Sequence, residues 1–191
     1  LLAFAVVLAF MIVYYRFAGL VASIALVANL ILTVGFMVAV QATFTLPGLA
    51  GIVLMLGMAI DANILIYERL REERDRGCSL AQAIRNGYDR AFPTIIDTHL
   101  SSIFTAIVLY VVGNDQLKGF GVSLTVGLII SLFTSLYMTR LLFDIWQFKG
   151  WLTKLSMLRL FTRPDIDFMA IRKAMFATTI FGVLLILANS Q

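Results

Sequence analysis

Asp61, Asp97 and His99 are ionisable side chains standing inside runs otherwise fit for hydrocarbon, and the chemistry they can share is the uptake and release of protons. The stretch around Asp61 reads LPGLAGIVLMLGMAIDANILIYERLREERD, residues 46–75. A helix over residues 46–67 is roughly 33 Å long, enough for a hydrocarbon core of about 30 Å, and it leaves Asp61 about 9 Å short of the charged end. A carboxylate at that depth costs at least about 2.5 kcal/mol on insertion scales, so it has to face other helices or water, and function is its default reading. Burial among apolar helices favours its neutral form, the condition under which a carboxyl can load and release protons. Asp97 lies about 7 Å in from Phe92, within reach of hydration, and structural hydrogen bonding and function weigh equally for it. His99 titrates near neutrality and can relay protons, although a single histidine with no partner in sequence is more often structural. Asn63 falls roughly 200° around the helix from Asp61 and is expected to bond a different neighbour.

These side chains need a scaffold of apolar helices, and the chain supplies about six spans. Residues 1–15 end in Tyr14, Tyr15 and Arg16, aromatic and basic groups suited to a membrane interface, and Gly19 is expected to turn the chain. Residues 20–41 form a second span, with Asn29 and Thr33 four apart on one face for hydrogen bonding to a neighbouring helix. Pro47 and Gly48 open the third span, 46–67, where proline in a first turn loses no helical hydrogen bond. Gly57, one turn before Asp61, would let another helix approach the carboxylate. The charged run beyond Tyr67 is expected to neutralise itself, with Glu72 and Arg76 as an i,i+4 pair. Gly77 then ends the helix, and Ser79 with Gln82 makes a capping box. An amphipathic helix over 79–92 should lie flat on the membrane or against helix ends. Pro93 starts a fourth span, 94–112, whose Thr94, Thr98, Ser101 and Thr105 share one face, as hydroxyls that can bond carbonyls one turn back do. In the fifth span, 120–143, Ser123, Gly127, Ser131 and Ser135 recur every four residues, a stripe that lets backbones pack closely. Residues 146–171 read as a basic surface linker with Trp146 and Trp151 as interfacial anchors, and 172–191 begin a sixth span.

With 61% hydrophobic and 14% charged residues, the chain is an all-α polytopic membrane protein and not a soluble domain. Lone Cys78 excludes an internal disulfide and reads as a small surface residue in a reducing compartment. If the spans alternate, every lysine and arginine except Lys118 falls on one side, which the positive-inside rule makes cytoplasmic. The net charge of +4 then reports topology and contact with anionic membrane lipid, and nucleic acid is not needed to explain it. No nucleotide-binding loop, metal cluster or nucleophile–base pair stands out, so neither an enzyme, a metal nor a cofactor is expected, and the first run lacks the basic start of a signal peptide.

GMAIDANILIYERLREE (57–73), AFPTIIDTHLSS (91–102) and KGFGVSLTVGLIISLFTSLYMTRLLFD (118–144) resemble the SecD family of the bacterial Sec export machinery over about residues 1–145. IDFMAIRKAMF (166–176) resembles, less specifically, the opening of its SecF counterpart. The resemblance implies the junction of a fused SecD–SecF protein, without the first SecD helix, the large external domain or most of SecF. It implies a helical bundle of the resistance-nodulation-division type that assists the SecYEG channel in the bacterial inner membrane. The proton-motive force would there pull exported preproteins outward. It carries the proton-path acid onto Asp61 and a second acid onto Asp97. Family members commonly have Ala-Asn where this chain has Thr98-His99, which leaves a place in the path for His99 open, and a charged partner would come from the SecF half. Two other readings use the same residues: a proton-coupled exporter of small molecules or lipids from the same superfamily, and a helical scaffold in which Asp61 is static.

Overall fold

In a computed structural model the described residues are 2–42, 45–149, 157–158, 175–176 and 178–180. Helices α1 (Leu2–Tyr15), α2 (Phe17–Ala39), α3 (Leu46–Asp75), α4 (Leu80–Val112) and α5 (Asp115–Leu132) follow in order. Helix α5 continues through a π-helical segment, Phe133–Met138, into α6 (Thr139–Phe148). Among the described residues four helical stretches are long and apolar enough to cross a membrane: α2, α3, α4 and the continuous Asp115–Phe148. The shorter α1 is apolar as well. Among the described residues there is no strand. Exposed Val53, Phe104, Ile31 and Val111 are the outward side chains expected of helices solvated by lipid. Residues 159–191 form a separate unit, helical at 175–176 and 178–180. Most of the linker expected over 146–171, with Trp151, and most of the span expected over 172–191 lie outside the described residues.

The bend between α1 and α2 falls at Arg16, whose φ of 49° is left-handed, and not at Gly19. Gly19 lies inside α2, where a Cβ would overlap the Met11 carbonyl of α1, so its missing side chain serves the close crossing of the two helices. Asn29 and Thr33 also depart from expectation, since Thr33 Oγ1 donates to Asn29 Oδ1 at 3.1 Å within α2. Helix α3 is capped by Thr45, whose Oγ1 accepts from the Gly48 amide at 3.1 Å, with Pro47 in the first turn. Its 30 residues extend roughly 45 Å. The length beyond the apolar part carries ion pairs spaced i,i+3: Glu68 with Arg71, Arg69 with Glu72, and Glu73 with Arg76. The i,i+4 reading of Glu72 with Arg76 is thereby corrected, because each takes a nearer partner.

The separate amphipathic helix and fourth span are one helix. Ser79 and Gln82 cap it reciprocally, and it runs unbroken through Pro93 to Val112. The reason is a single stripe: Ala83, Ile84, Gly87, Tyr88, Ala91, Ile95, His99 and Ala106 are buried at helical spacing on both sides of the proline, which itself faces outward. A break at Pro93 would throw half of that stripe out of register. Its first half packs on the charged extension of α3, where a Cβ at Gly87 would press on the Leu70 backbone.

Helix α5 is held between α3 and α4. Ser123 Oγ donates to the Gly48 carbonyl at 2.9 Å, Gly127 receives the Met55 side chain, and a Cβ at Gly121 would crowd the Ala106 carbonyl. At the basic end Phe143 of α6 meets Tyr67, Tyr88 and Phe17 at ring distances of 5.9, 6.4 and 6.2 Å. Tyr15 of α1 meets the Tyr67 ring at a tilt, 5.5 Å between centres, and donates to Glu68 at 2.9 Å, tying the first hairpin to α3.

Candidate functional site

Asp61 occupies an outward face of α3. It is exposed, with no hydrogen bond or ion pair among the described residues, and Gly57 one turn away on the same face has no atom within 4 Å of where a Cβ would stand. The described helices therefore leave Asp61 open, and none of them makes the close approach expected at Gly57. Asp97 of α4 is exposed in the same way.

His99 points the other way. Two residues on from Asp97, it turns about 200° around the helix and is 1% exposed. Its Nδ1 lies 3.0 Å from the Ile95 carbonyl, which can only accept, so Nδ1 carries the proton. Nε2 is then the acceptor of the neutral ring, and Ser131 Oγ, 3.3 Å away on α5, donates to it. Ser131, read as a small packing residue, thus also supplies the hydroxyl that holds the imidazole between α4 and α5. The structure does not bring His99 onto the outward face that carries Asp97.

Asn63 repeats the relation to Asp61. It is 1% exposed, and neither its amide nitrogen nor its oxygen has a partner among the described residues. Ser135 is buried in the π-helical segment, where its carbonyl accepts from Thr139, and Thr139 in turn accepts from Tyr88 at 2.7 Å. The π turn follows directly on the helix that carries Ser131, a placement common near functional sites.

One cluster was missed from sequence. Glu73, 3% exposed at the end of α3, receives Asn86 Nδ2 at 2.9 Å and pairs with Arg76 at 2.7 Å and Arg90 at 3.2 Å. The Asn86 hydrogen bond, followed by the two guanidinium groups, holds its carboxyl below the usual value of 4.5. Cys78 Sγ lies 3.6 Å from the same carboxylate. The cluster closes the α3–α4 hairpin. Its partners Asn86 and Arg90 are far along the chain, and the signal available was an acid on the α3 face that also carries Leu70.

Among the described residues no group of histidine, cysteine, aspartate or glutamate is arranged to hold a metal ion. Residues 1–149 match the model of the family described as protein export membrane protein SecD/SecF, C-terminal. The chain is 49% identical over 146 residues to the protein translocase subunit SecD of Rickettsia typhi, covering 76% of this chain and 28% of that protein. It is 50% identical over 135 residues to the SecD subunits of Rhodothermus marinus and Syntrophobacter fumaroxidans, covering 71% of this chain and 22% and 25% of theirs. The chain thus spans about a quarter of the length of these curated relatives. With the family model covering the whole bundle from α1 to α6, this chain belongs to the SecD/SecF family of protein export membrane proteins, polytopic helical proteins of the resistance-nodulation-division type.

Proposed function

We propose that this chain is membrane-spanning machinery of a Sec protein translocase subunit, which uses the proton-motive force to assist SecYEG in exporting preproteins across the bacterial inner membrane. The observation that carries the reading is the open carboxylate of Asp61. A charge at membrane depth on an outward helix face costs at least about 2.5 kcal/mol unless protein or water covers it. Gly57 leaves the room for such a cover, which we assign to a second helical half of SecF type, with a charged partner for Asp61. Protonation of Asp61 neutralises that contact and deprotonation restores it. Each proton crossing 100 mV yields about 2.3 kcal/mol, enough to bias a two-state arrangement of the halves and too little to move cargo in one step, so the cycle repeats. Asp97 serves as the second acid of the path, and the basic loops lie in the cytoplasm. His99, with both ring nitrogens occupied, packs α4 against α5 and stands outside the path.

The test is export of a reporter preprotein by the full-length protein carrying Asp61→Asn, which keeps the shape of the side chain and cannot ionise, with the gradient applied and then collapsed. The expected result is normal insertion with loss of the gradient-dependent part of export. Full retention of that dependence would make Asp61 a static part of a scaffold and overturn the reading.

A further inference from the structure

Where α4 and α6 run past each other at the basic end, their side chains form a groove with graded chemistry. Its wider part is a cavity of about 400 Å³ between Ile84 and Arg85 of α4 and Arg140, Asp144 and Gln147 of the facing helix. A second cavity, of about 110 Å³, continues it along Asp89 and Phe92 on one side and Leu136 and Tyr137 on the other. Arg140 lines both. The lining residues recur every three or four positions on each helix, so the groove runs lengthwise, with Arg85, Asp144 and Gln147 beside Phe148 in its wider part and Tyr88, Phe92 and Tyr137 beside Asp89 in its narrower part. The aromatic end is the one toward Pro93, and it continues into Phe133, whose ring stacks 6.0 Å from that of the exposed Tyr137.

Charge decides the occupant. Arg85 and Asp144 line the same cavity, yet neither forms an ion pair or side-chain hydrogen bond among the described residues. Arg140 is engaged only loosely, 3.9 Å from Asp89 and 5.9 Å from the centre of the Tyr88 ring. A molecule that satisfies both signs at once carries an anion for the guanidinium groups, which a membrane lipid supplies as its phosphate, and an N–H-bearing cation for the Asp144 carboxylate and the Gln147 amide oxygen. It also has to carry an apolar tail for the aromatic end. The wider cavity lies within the ~300–1,000 Å³ of small-ligand sites. We propose that this groove is a site for an aminophospholipid of the phosphatidylethanolamine type. The phosphate sits between Arg85 and Arg140, the ammonium on Asp144, and one acyl chain lies along Phe92 and Tyr137. Phosphatidylcholine fits less well because its three methyl groups leave it no N–H to donate, and phosphatidylglycerol leaves Asp144 facing an uncharged headgroup. The site does not depend on the export cycle, and it stands or falls by lipid binding alone.

The measurement is native mass spectrometry of the delipidated full-length protein with phosphatidylethanolamine, phosphatidylcholine and phosphatidylglycerol of identical acyl chains at equal concentration. Phosphatidylethanolamine is expected to be retained about tenfold over the other two, the preference worth roughly 1.4 kcal/mol. Asp144→Asn removes that preference while leaving phosphatidylglycerol bound. Arg140→Gln lowers retention of all three, and Arg85→Gln, at an exposed position with no partner to lose, does the same if the Arg140 variant fails to fold. Three results overturn the proposal: phosphatidylglycerol binding best to the unaltered protein, the preference surviving Asp144→Asn, or chainless glycerophosphoethanolamine competing as well as the lipid. The last would make the groove a site for a soluble phosphate ester.

Discussion

Removing the Ser131 hydroxyl tests whether His99 is packing or path. The imidazole is fixed by two contacts, Nδ1 to the Ile95 carbonyl at 3.0 Å and Ser131 Oγ to Nε2 at 3.3 Å. Ser131→Ala keeps the first and leaves Nε2 without a donor at a position only 1% exposed. Hydrogen bonds between membrane helices average about 0.6 kcal/mol and reach about 1.7. The folding constant should therefore fall by about three- to twentyfold. His99→Ala loses the same bond together with a buried ring and should cost more. In a double-mutant cycle the two substitutions should couple by about 0.5–1.7 kcal/mol, measured by reversible unfolding in mixed micelles with tryptophan fluorescence as the signal. A coupling below about 0.3 kcal/mol would sink the assignment of the hydrogen bond. The functional arm uses His99→Asn, which cannot titrate: gradient-dependent export should persist, and its loss from a stably folded variant would return His99 to the proton path.

Gly19→Ala should destabilise the bundle by about 1–3 kcal/mol because its Cβ meets the Met11 backbone, whereas Gly57→Ala, with open space around it, should change the unfolding of this bundle by less than about 0.5 kcal/mol. Thermal unfolding of the two variants side by side checks both figures, and equal losses would contradict the packing. The Glu73 carboxyl is held below its ordinary value of 4.5, so its contribution to the α3–α4 hairpin is present above that pH and is lost as pH falls through the lowered value. Hydrogen-exchange protection at the Arg76–Ser79 turn, taken against the intrinsic rate at each pH, should fall on acidification in the unaltered protein, and Glu73→Gln should show low protection at neutral pH with no acid step.

Local signals carried the beginnings of helices well. Pro47, Ser79 and Gln82 act through their own neighbours in sequence, and the structure uses them at those positions. The stripe of small residues in α5 was legible for a similar reason, since a period of four needs no knowledge of the partner. What periodicity could not supply was the identity of the partner: that Ser131 meets His99, or that Gly19 meets Met11 instead of turning the chain. Pro93 misled because a proline usually marks a boundary, and only the register of the buried stripe across it shows why the helix goes on. Glu73 escaped because Asn86 and Arg90 reach it only after the hairpin has closed, while the i,i+3 pairs beside it dominate the local pattern.

Helices α3 and α4 solve one physical problem in the same way. Each carries an acid and, two residues later, a neutral polar group: Asp61 with Asn63, Asp97 with His99. Two residues turn a helix by about 200°, so the acids look out of the bundle while the amide and the imidazole look in, as their burial shows. An acid that shared the inward face would place each protonation event inside close-packed contacts such as His99 with Ser131, where a change of charge in a low dielectric has a large cost. Placed outward, the acid can change charge against a separate surface while the packing of α3, α4 and α5 is left undisturbed. On the proposed function, a proton cycle built on this arrangement would move one body against another and would not require the bundle itself to repack.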